Sequence, residues 1–283
     1  MSAKATALQQ RIDTLAETVS GTRIIRLESI RALAADTGLP IREIELAALE
    51  AEVAPWRYLR NLGTIGFDGQ AQLLRATAAV VGLGGLGGYV TEGLARMGVG
   101  HLILIDGDVF EEHNLNRQLL SGESHLGMPK AEAAQQRVAE VNSAVTVTLH
   151  AAMLTTENLP RLLAGAGVVV DALDRLPTRI TLQEGARALG IPLVHGSIAG
   201  FLGQVMTIFP EDPGLIGLYG GRDGLPEQGL EAQLGTPAAT PMAVAAWEVQ
   251  EAVKILTECT TLLRNRLLIM DMESGTADLL QLE

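Results

Sequence analysis

One cysteine, Cys259, stands in 283 residues. An internal disulfide is therefore excluded, as is any zinc site built on cysteine pairs. Aromatic residues make up only 3% of the chain, so the interior must be packed with aliphatic side chains, the composition of buried parallel strands. No uninterrupted apolar run approaches the roughly 18 residues of a membrane-spanning helix. Met1-Ser2-Ala3-Lys4-Ala5-Thr6 holds no apolar signal core. A cytoplasmic protein without a membrane partner is expected. Positive charge is scarce too: the formal net charge of −12 argues against a nucleic-acid partner.

Residues 1–55 differ from the rest. They are poor in glycine and carry apolar residues at helical spacing, Ile30, Leu33 and Ala34, then Ile44, Leu46 and Leu49. Asp36-Thr37-Gly38-Leu39-Pro40 breaks the pattern, which predicts at least two helices joined by a turn. Residues 29–50 have the outline of a DNA-binding helix-turn-helix. Six basic against eight acidic residues over 1–55 suit phosphate poorly, so a helical N-terminal extension for packing or dimerisation is the preferred reading.

The second unit runs from 56 to 283. Apolar runs at 78–81, 102–105, 167–171 and 192–195 read as buried strands, and 145–149 as an alternating one. Residues 89–97, 131–141, 178–189 and 243–257 read as helices, with a short one at 70–74. This rhythm predicts a Rossmann-like, doubly wound, mainly parallel sheet in an α/β fold. From 201 to 209 the alternation has no helix beside it, so an antiparallel C-terminal portion is expected, closed by strands at 267–270 and 277–282. Residues 211–241, rich in glycine and proline, read as a long functional loop. The last helix shows an apolar stripe of Val244, Trp247, Val249 and Val253.

Residues 78–118 organise this unit. A strand breaks into Gly82-Leu83-Gly84-Gly85-Leu86-Gly87, a helix comes next, and a second strand ends on Asp106. Gly82, Gly84 and Gly87 satisfy G-x-G-x-x-G: they allow a tight turn, backbone approach to phosphate and close helix packing. Asp106 lies 24 positions beyond Gly82, a spacing suited to ribose hydroxyls. Taken alone, the pattern suits NAD as well as ATP, and without a following Gly-Lys-Ser/Thr it is not a P-loop. Charge beyond Asp106 separates the two. Arg117 and Lys130 come after the nucleotide strand, and Asp174 ends another strand on the same sheet edge. Arginine offers phosphate a fork of donors and lysine a point charge, while one carboxylate with substrate phosphates suits Mg²⁺. An NAD dehydrogenase leaves all three unexplained.

Gly82-Leu83-Gly84-Gly85-Leu86-Gly87, Ile105-Asp106-Gly107-Asp108-Val109, Asn114-Leu115-Asn116-Arg117-Gln118, Gly127-Met128-Pro129-Lys130 and Asp171-Ala172-Leu173-Asp174, preceded by Arg57-Tyr58-Leu59-Arg60-Asn61, resemble the ubiquitin-activating-enzyme-like superfamily. Within it they resemble the bacterial MoeB/ThiF/HesA adenylyltransferases. The resemblance covers residues 56–283 as an adenylation domain. It implies ATP and Mg²⁺ as cofactors, and adenylation of the C-terminal glycine of a small ubiquitin-like sulfur-carrier protein ending in Gly-Gly. It also implies sulfur transfer as the next stage, in molybdopterin, tungstopterin, thiamine or cysteine biosynthesis. Residue by residue, it implies that Gly82, Gly84, Gly85, Leu86 and Gly87 cradle the nucleotide, with Asp108 beside them. Asp106 would hold the ribose, Asn114, Arg117 and Lys130 the phosphates, and Asp174 the Mg²⁺. Arg60 would reach into the other subunit of a homodimer.

The sequence departs from that pattern in three places. The two Cys-x-x-Cys pairs of many relatives are missing, so no zinc site is expected. No cysteine falls in 211–241, and Arg175 stands where relatives carry asparagine. Cys259 is expected to be a buried or incidental thiol, and reaction is expected to stop at the acyl-adenylate. His195 is placed at a strand end beside the acceptor-tail groove, His113 and His125 on the surface. Two other readings remain: adenylation of a peptide or tRNA-linked carboxylate, and a non-catalytic ATP-binding scaffold.

Overall fold

The computed structural model describes residues 3–220, 225–226 and 229–282. The chain begins with α1 (Ala3–Leu15), β1 (Glu17–Val19), β2 (Thr22–Ile25), α2 (Leu27–Thr37), α3 (Ile41–Glu50) and β3 (Ala54–Pro55). The helices come where the spacing places them, and α2 ends on Gly38 in the left-handed conformation, a common way to stop a helix. The extension also holds a small sheet, β1-β2-β3. Its core is Ile12, Ile25, Ile30, Leu33, Ile44, Ala48 and Val53. Strands of two to four residues leave too little alternation to be read from sequence.

A turn at Trp56–Tyr58 leads to α4 (Leu62–Arg75), longer than the 70–74 segment expected. It is kinked at Gly66, and glycines 63, 66 and 69 obscure its helical pattern. Then come β4 (Thr77–Val81), α5 (Gly85–Met97), β5 (His101–Ile105), α6 (Lys130–Val141), β6 (Thr146–His150), α7 (Leu159–Leu162), β7 (Val168–Asp171), α8 (Leu176–Ala188), β8 (Leu193–Ala199) and β9 (Leu202–Ile208). The chain closes with α9 (Gly214–Tyr219), α10 (Glu231–Leu234), α11 (Ala239–Leu256), β10 (Arg266–Asp271) and β11 (Thr276–Gln281). The 211–241 stretch thus holds two short helices, and part of it lies outside the described residues.

Among the described residues eight strands form one sheet, ordered β11-β10-β9-β8-β7-β4-β5-β6. The pairs from β8 to β6 are parallel, and β9, β10 and β11 add on antiparallel. The mixed α/β architecture is as expected. Helices cover both faces of the parallel part, which is why its strands are aliphatic throughout. On one face α5, α6 and α11 contribute Val90, Leu94, Ala134, Val138, Val244 and Val253. On the other, α7, α8 and α9 contribute Leu159, Leu162, Ile180, Leu182 and Leu215. From β4 the chain goes to β5 on one side, while β7 lies on the other. The carboxyl ends of β4 and β7 therefore flank the crevice where doubly wound sheets place their ligands. No helix among the described residues is long and apolar enough to cross a membrane.

The buried face of α11 differs from the stripe expected. Val244 and Val253 are buried, but Trp247 is 41% exposed, and the acids Glu248 and Glu251 take the interior positions. One Glu251 oxygen accepts the Thr207 hydroxyl at 2.6 Å and the Leu263 N–H at 2.7 Å, and the other forms an ion pair with Lys254. Glu248 packs against Gly196 with neither oxygen hydrogen-bonded. Burial first, then Asp171, pushes its carboxyl well above the usual range, against the pull of Arg179. The folded chain holds that proton while the unfolded chain loses it above the ordinary carboxylate pKa, so this contribution to stability drains away as pH rises. Glu248→Met should stabilise the protein by about 1–3 kcal/mol, and the gain should be larger at pH 8 than at pH 5. Chemical denaturation at the two pH values measures both, and a destabilised variant would contradict this account.

Candidate functional site

The site is built where β4 ends. Gly82 turns the chain at φ 88°, a conformation L side chains rarely adopt. Its N–H donates to Ile105 O at 2.9 Å. A Cβ there would stand 2.6 Å from the Ala172 carbonyl oxygen, so the turn crosses the loop after β7 at backbone distance. A Cβ on Gly87 would overlap the Gly82 carbonyl oxygen, so α5 also packs hard against the turn. Gly84 caps α5 without a side-chain hydrogen bond, which leaves the helix's first N–H groups to attract an anion. Leu86 is buried and can offer a ligand only its backbone.

Asp106, at the end of β5, clamps this turn. One carboxylate oxygen accepts the Leu83 N–H at 2.6 Å and the other the Asp108 N–H at 2.8 Å. Burial raises its pKa, opposed by the Asp108 N–H and by Lys130. Lys130 opens α6 and is 7% exposed; its Nζ donates to Asp108 at 3.1 Å. Asn114 is buried, and its side-chain oxygen accepts the Glu111 N–H at 3.0 Å, so the amide shapes the loop that presents Arg117. The Arg117 guanidinium donates to His113 O and to Asn116 Oδ1, both at 2.9 Å. Its stem lies beside Gly85. Burial lowers its pKa, and the negative charge of Asp174 opposes that.

The glycine turn, Asp106, Asp108, Asn114, Arg117, Lys130 and Asp174 are thus gathered at one end of the parallel sheet. Arg60 is exposed on the turn before α4, and none of these contacts includes it. Gln118 carries no signal in the sequence beyond its place in the Asn114–Gln118 run. It is 6% exposed, its Nε2 stands 3.4 Å from where a Gly84 Cβ would be, and its Oε1 has no partner.

His195 is not at a groove. It is fully buried within β8, and its Nδ1–H donates to Asp171 Oδ2 at 2.7 Å. Burial lowers the imidazole's pKa and keeps it neutral. Burial works to raise the Asp171 pKa, but Arg179 and then His195 outweigh it and hold it low. Arg179 donates to Gly196 O at 3.0 Å and to Leu173 O, and the Leu173 N–H donates to Asp171 at 3.1 Å. The loop 171–174 is therefore fixed at both polar groups of Leu173. Aspartate ending a buried strand was the available signal; its histidine and arginine partners lie on separate elements. Of the remaining residues, His113 and Cys259 are exposed and His125 is half-buried.

The turn fits a nucleotide, since its glycines let the backbone pack tightly and leave the first N–H groups of α5 without a side-chain cap. A lone exposed carboxylate fits Mg²⁺, which takes few protein ligands and completes its shell with phosphates and water. Among the described residues no group of three or more His, Cys, Asp or Glu could hold a metal by itself.

A family model described as "ThiF family" matches residues 58–283. The chain is 39% identical over 220 residues to the SAMP-activating enzyme E1 of Haloferax volcanii, covering 76% of this chain and 80% of that one. It is 37% identical over 217 residues to the sulfur carrier protein ThiS adenylyltransferase of Bacillus subtilis, covering 74% of this chain. There it spans 64% of the relative's length, under two thirds. In fold it resembles E. coli MccB in a crystal structure with MccA-N7isoASN: TM-score 0.70 at 18% identity, over 99% of this chain and 88% of that one.

The clamp makes a prediction that needs no ligand. Asp106→Ala leaves the buried Leu83 N–H without its acceptor, which should lower nucleotide-free stability by about 1–3 kcal/mol. A denaturation midpoint equal to wild type would show that the glycine turn holds itself.

Proposed function

We propose that this chain, which belongs to the ThiF family, activates the C-terminal glycine carboxylate of a small ubiquitin-like or sulfur-carrier protein by adenylation with ATP. The single observation that carries the reading is that Arg117 lies beside Gly85 of the glycine turn while the loop after β7, which leads to Asp174, crosses Gly82 at backbone distance. A nicotinamide site has no use for a cation and an exposed carboxylate on the two segments that meet there. The acceptor class rests on the names of the relatives, a SAMP-activating enzyme and a ThiS adenylyltransferase. Sulfur transfer in cofactor or cysteine biosynthesis is the corresponding pathway.

The backbone of residues 82–87 would cradle the phosphates at the start of α5, and Asp106, besides clamping that backbone, would accept the ribose hydroxyls. The carrier's carboxylate attacks the α-phosphorus, the bond to the bridging oxygen breaks, and pyrophosphate leaves. The acceptor is ionised at neutral pH, so no general base is needed. The difficulty is charge: two anions meet, and more negative charge gathers on the leaving group. Arg117 and Lys130, fixed before reaction, would meet that charge, and Mg²⁺ on Asp174 would neutralise phosphate oxygens. Arg60 would complete the site from the second subunit of a homodimer. With Cys259 the only thiol, exposed near the end of α11, the product of this chain is the acyl-adenylate.

The test is pyrophosphate–ATP exchange with an added carrier ending in Gly-Gly. Arg117→Ala or Asp174→Ala should lower the exchange rate about 10²–10³-fold. Unchanged exchange in either variant would overturn the assignment of that residue.

A further inference from the structure

The turn that carries Arg60 is held from outside the residues that the family model matches. Immediately before Arg60, Trp56 lies under the Arg26 guanidinium, 4.0 Å from its ring centroid. Arg26 is itself fixed by two hydrogen bonds to Glu17, at 2.8 and 2.9 Å. Arg57 forms an ion pair with Glu45 of α3, its Nε 3.4 Å from a Glu45 oxygen, and it donates a hydrogen bond to Asn142 Oδ1. Asn142 in turn donates to the Tyr58 hydroxyl and to Ala95 O, both at 2.8 Å. Immediately after Arg60, Asn61 donates to Gln70 at 2.9 Å, and Gln70 to Met97 O at 2.8 Å. Leu46 and Leu49 of α3 pack with Tyr58, Ala71 and Leu74 in one small core beneath the turn. Both flanks are fixed, and the exposed Arg60 is the side chain left to reach outward.

Glu45 is the centre of this brace. Its side chain is wholly buried, and burying a carboxylate is costly unless it serves a partner. Neither Glu45 oxygen is hydrogen-bonded, and burial pushes its pKa up to about 7 against the pull of Arg57, the ion-pair partner three residues from Arg60.

We propose that the N-terminal extension, residues 1–55, is a brace for Arg60, with Glu45 as the positioning residue that acts on it through Arg57. The proposal rests on the reading that Arg60 works in the second subunit's site. Its consequence is asymmetric: loosening the brace in one subunit harms the site of the other. A displacement of about 1 Å at a reacting group can cost on the order of 10²-fold in rate, so the effect is measurable.

Mixed dimers of differently tagged full-length chains test this. A donor chain carrying Asp174→Ala loses its own site but still supplies Arg60. A receiver chain carrying Arg60→Ala keeps its site and supplies nothing, so the pair holds one working site. Glu45→Leu placed in the donor should lower carrier-dependent exchange about tenfold to hundredfold. The same change in the receiver should leave it unaltered, and Glu45→Gln in the donor should retain most of the rate. A fold-wide defect would track the substitution into either chain, so equal losses in donor and receiver, or no loss in either, would overturn the brace. If the unmodified donor–receiver pair exchanges no faster than the two parent homodimers, it is the trans role of Arg60 that fails.

Discussion

Everything at the candidate site stems from one steric constraint. The turn after β4 crosses the loop after β7 so closely that a Cβ at Gly82 would sit 2.6 Å from a backbone oxygen. Two strand ends are joined there without a side chain between them, and the glycine turn and the loop that leads to Asp174 come to share one rim. The position is set by topology: β4 continues to one side and β7 lies on the other, which opens a crevice at their carboxyl ends. A bulkier residue at Gly82 would do more than strain a turn. It would part the glycine turn from the loop that leads to Asp174.

Polar groups hold the parts that this constraint brings together, and they divide the work. Asp106 fixes the glycine turn through two N–H groups, whereas ionised Asp171, neutral His195 and Arg179 fix the facing loop through both polar groups of Leu173. Neither set leaves a buried charge alone: Asp171 is balanced by Arg179, and Asp106 has two N–H donors with Lys130 nearby. Phosphate chemistry asks a protein for preorganisation of this kind, since the groups that meet developing charge act best when already in place. Glu248 is the exception, a buried acid without a partner that persists by keeping its proton.

Much of this was legible in the sequence because local rules suffice for it. Aliphatic runs and helical spacing located the parallel strands and most helices, and the spacing of Gly82, Gly84, Gly87 and Asp106 located the turn and its clamp. The features that escaped depend on contacts between distant segments. His195 reads as a strand end beside a groove until Asp171 and Arg179 are seen to enclose it. Trp247 reads as core, and an apolar stripe cannot reveal that the same helix buries two acids. Glycines hid α4, and β1, β2 and β3 were too short to show a period. The partners of Arg57 could not be read at all, because Glu45 and Asn142 lie 12 residues before it and 85 after it.

That last gap bears on how the chain's parts relate. The match to the family model begins at residue 58, so a reading by family alone treats everything before it as an appendage. The contacts argue otherwise. Trp56 and Arg57 lie just outside the match and are gripped by Arg26 and Glu45, while Tyr58, the first matched residue, packs against Leu46 and Leu49 of α3. A linker that merely tethered the extension would need neither a buried carboxylate nor a shared core. Those features make sense if the geometry of the turn is itself under constraint. The residue presented by that turn is Arg60, the one member of the proposed site that its own chain does not bring to the glycine cradle.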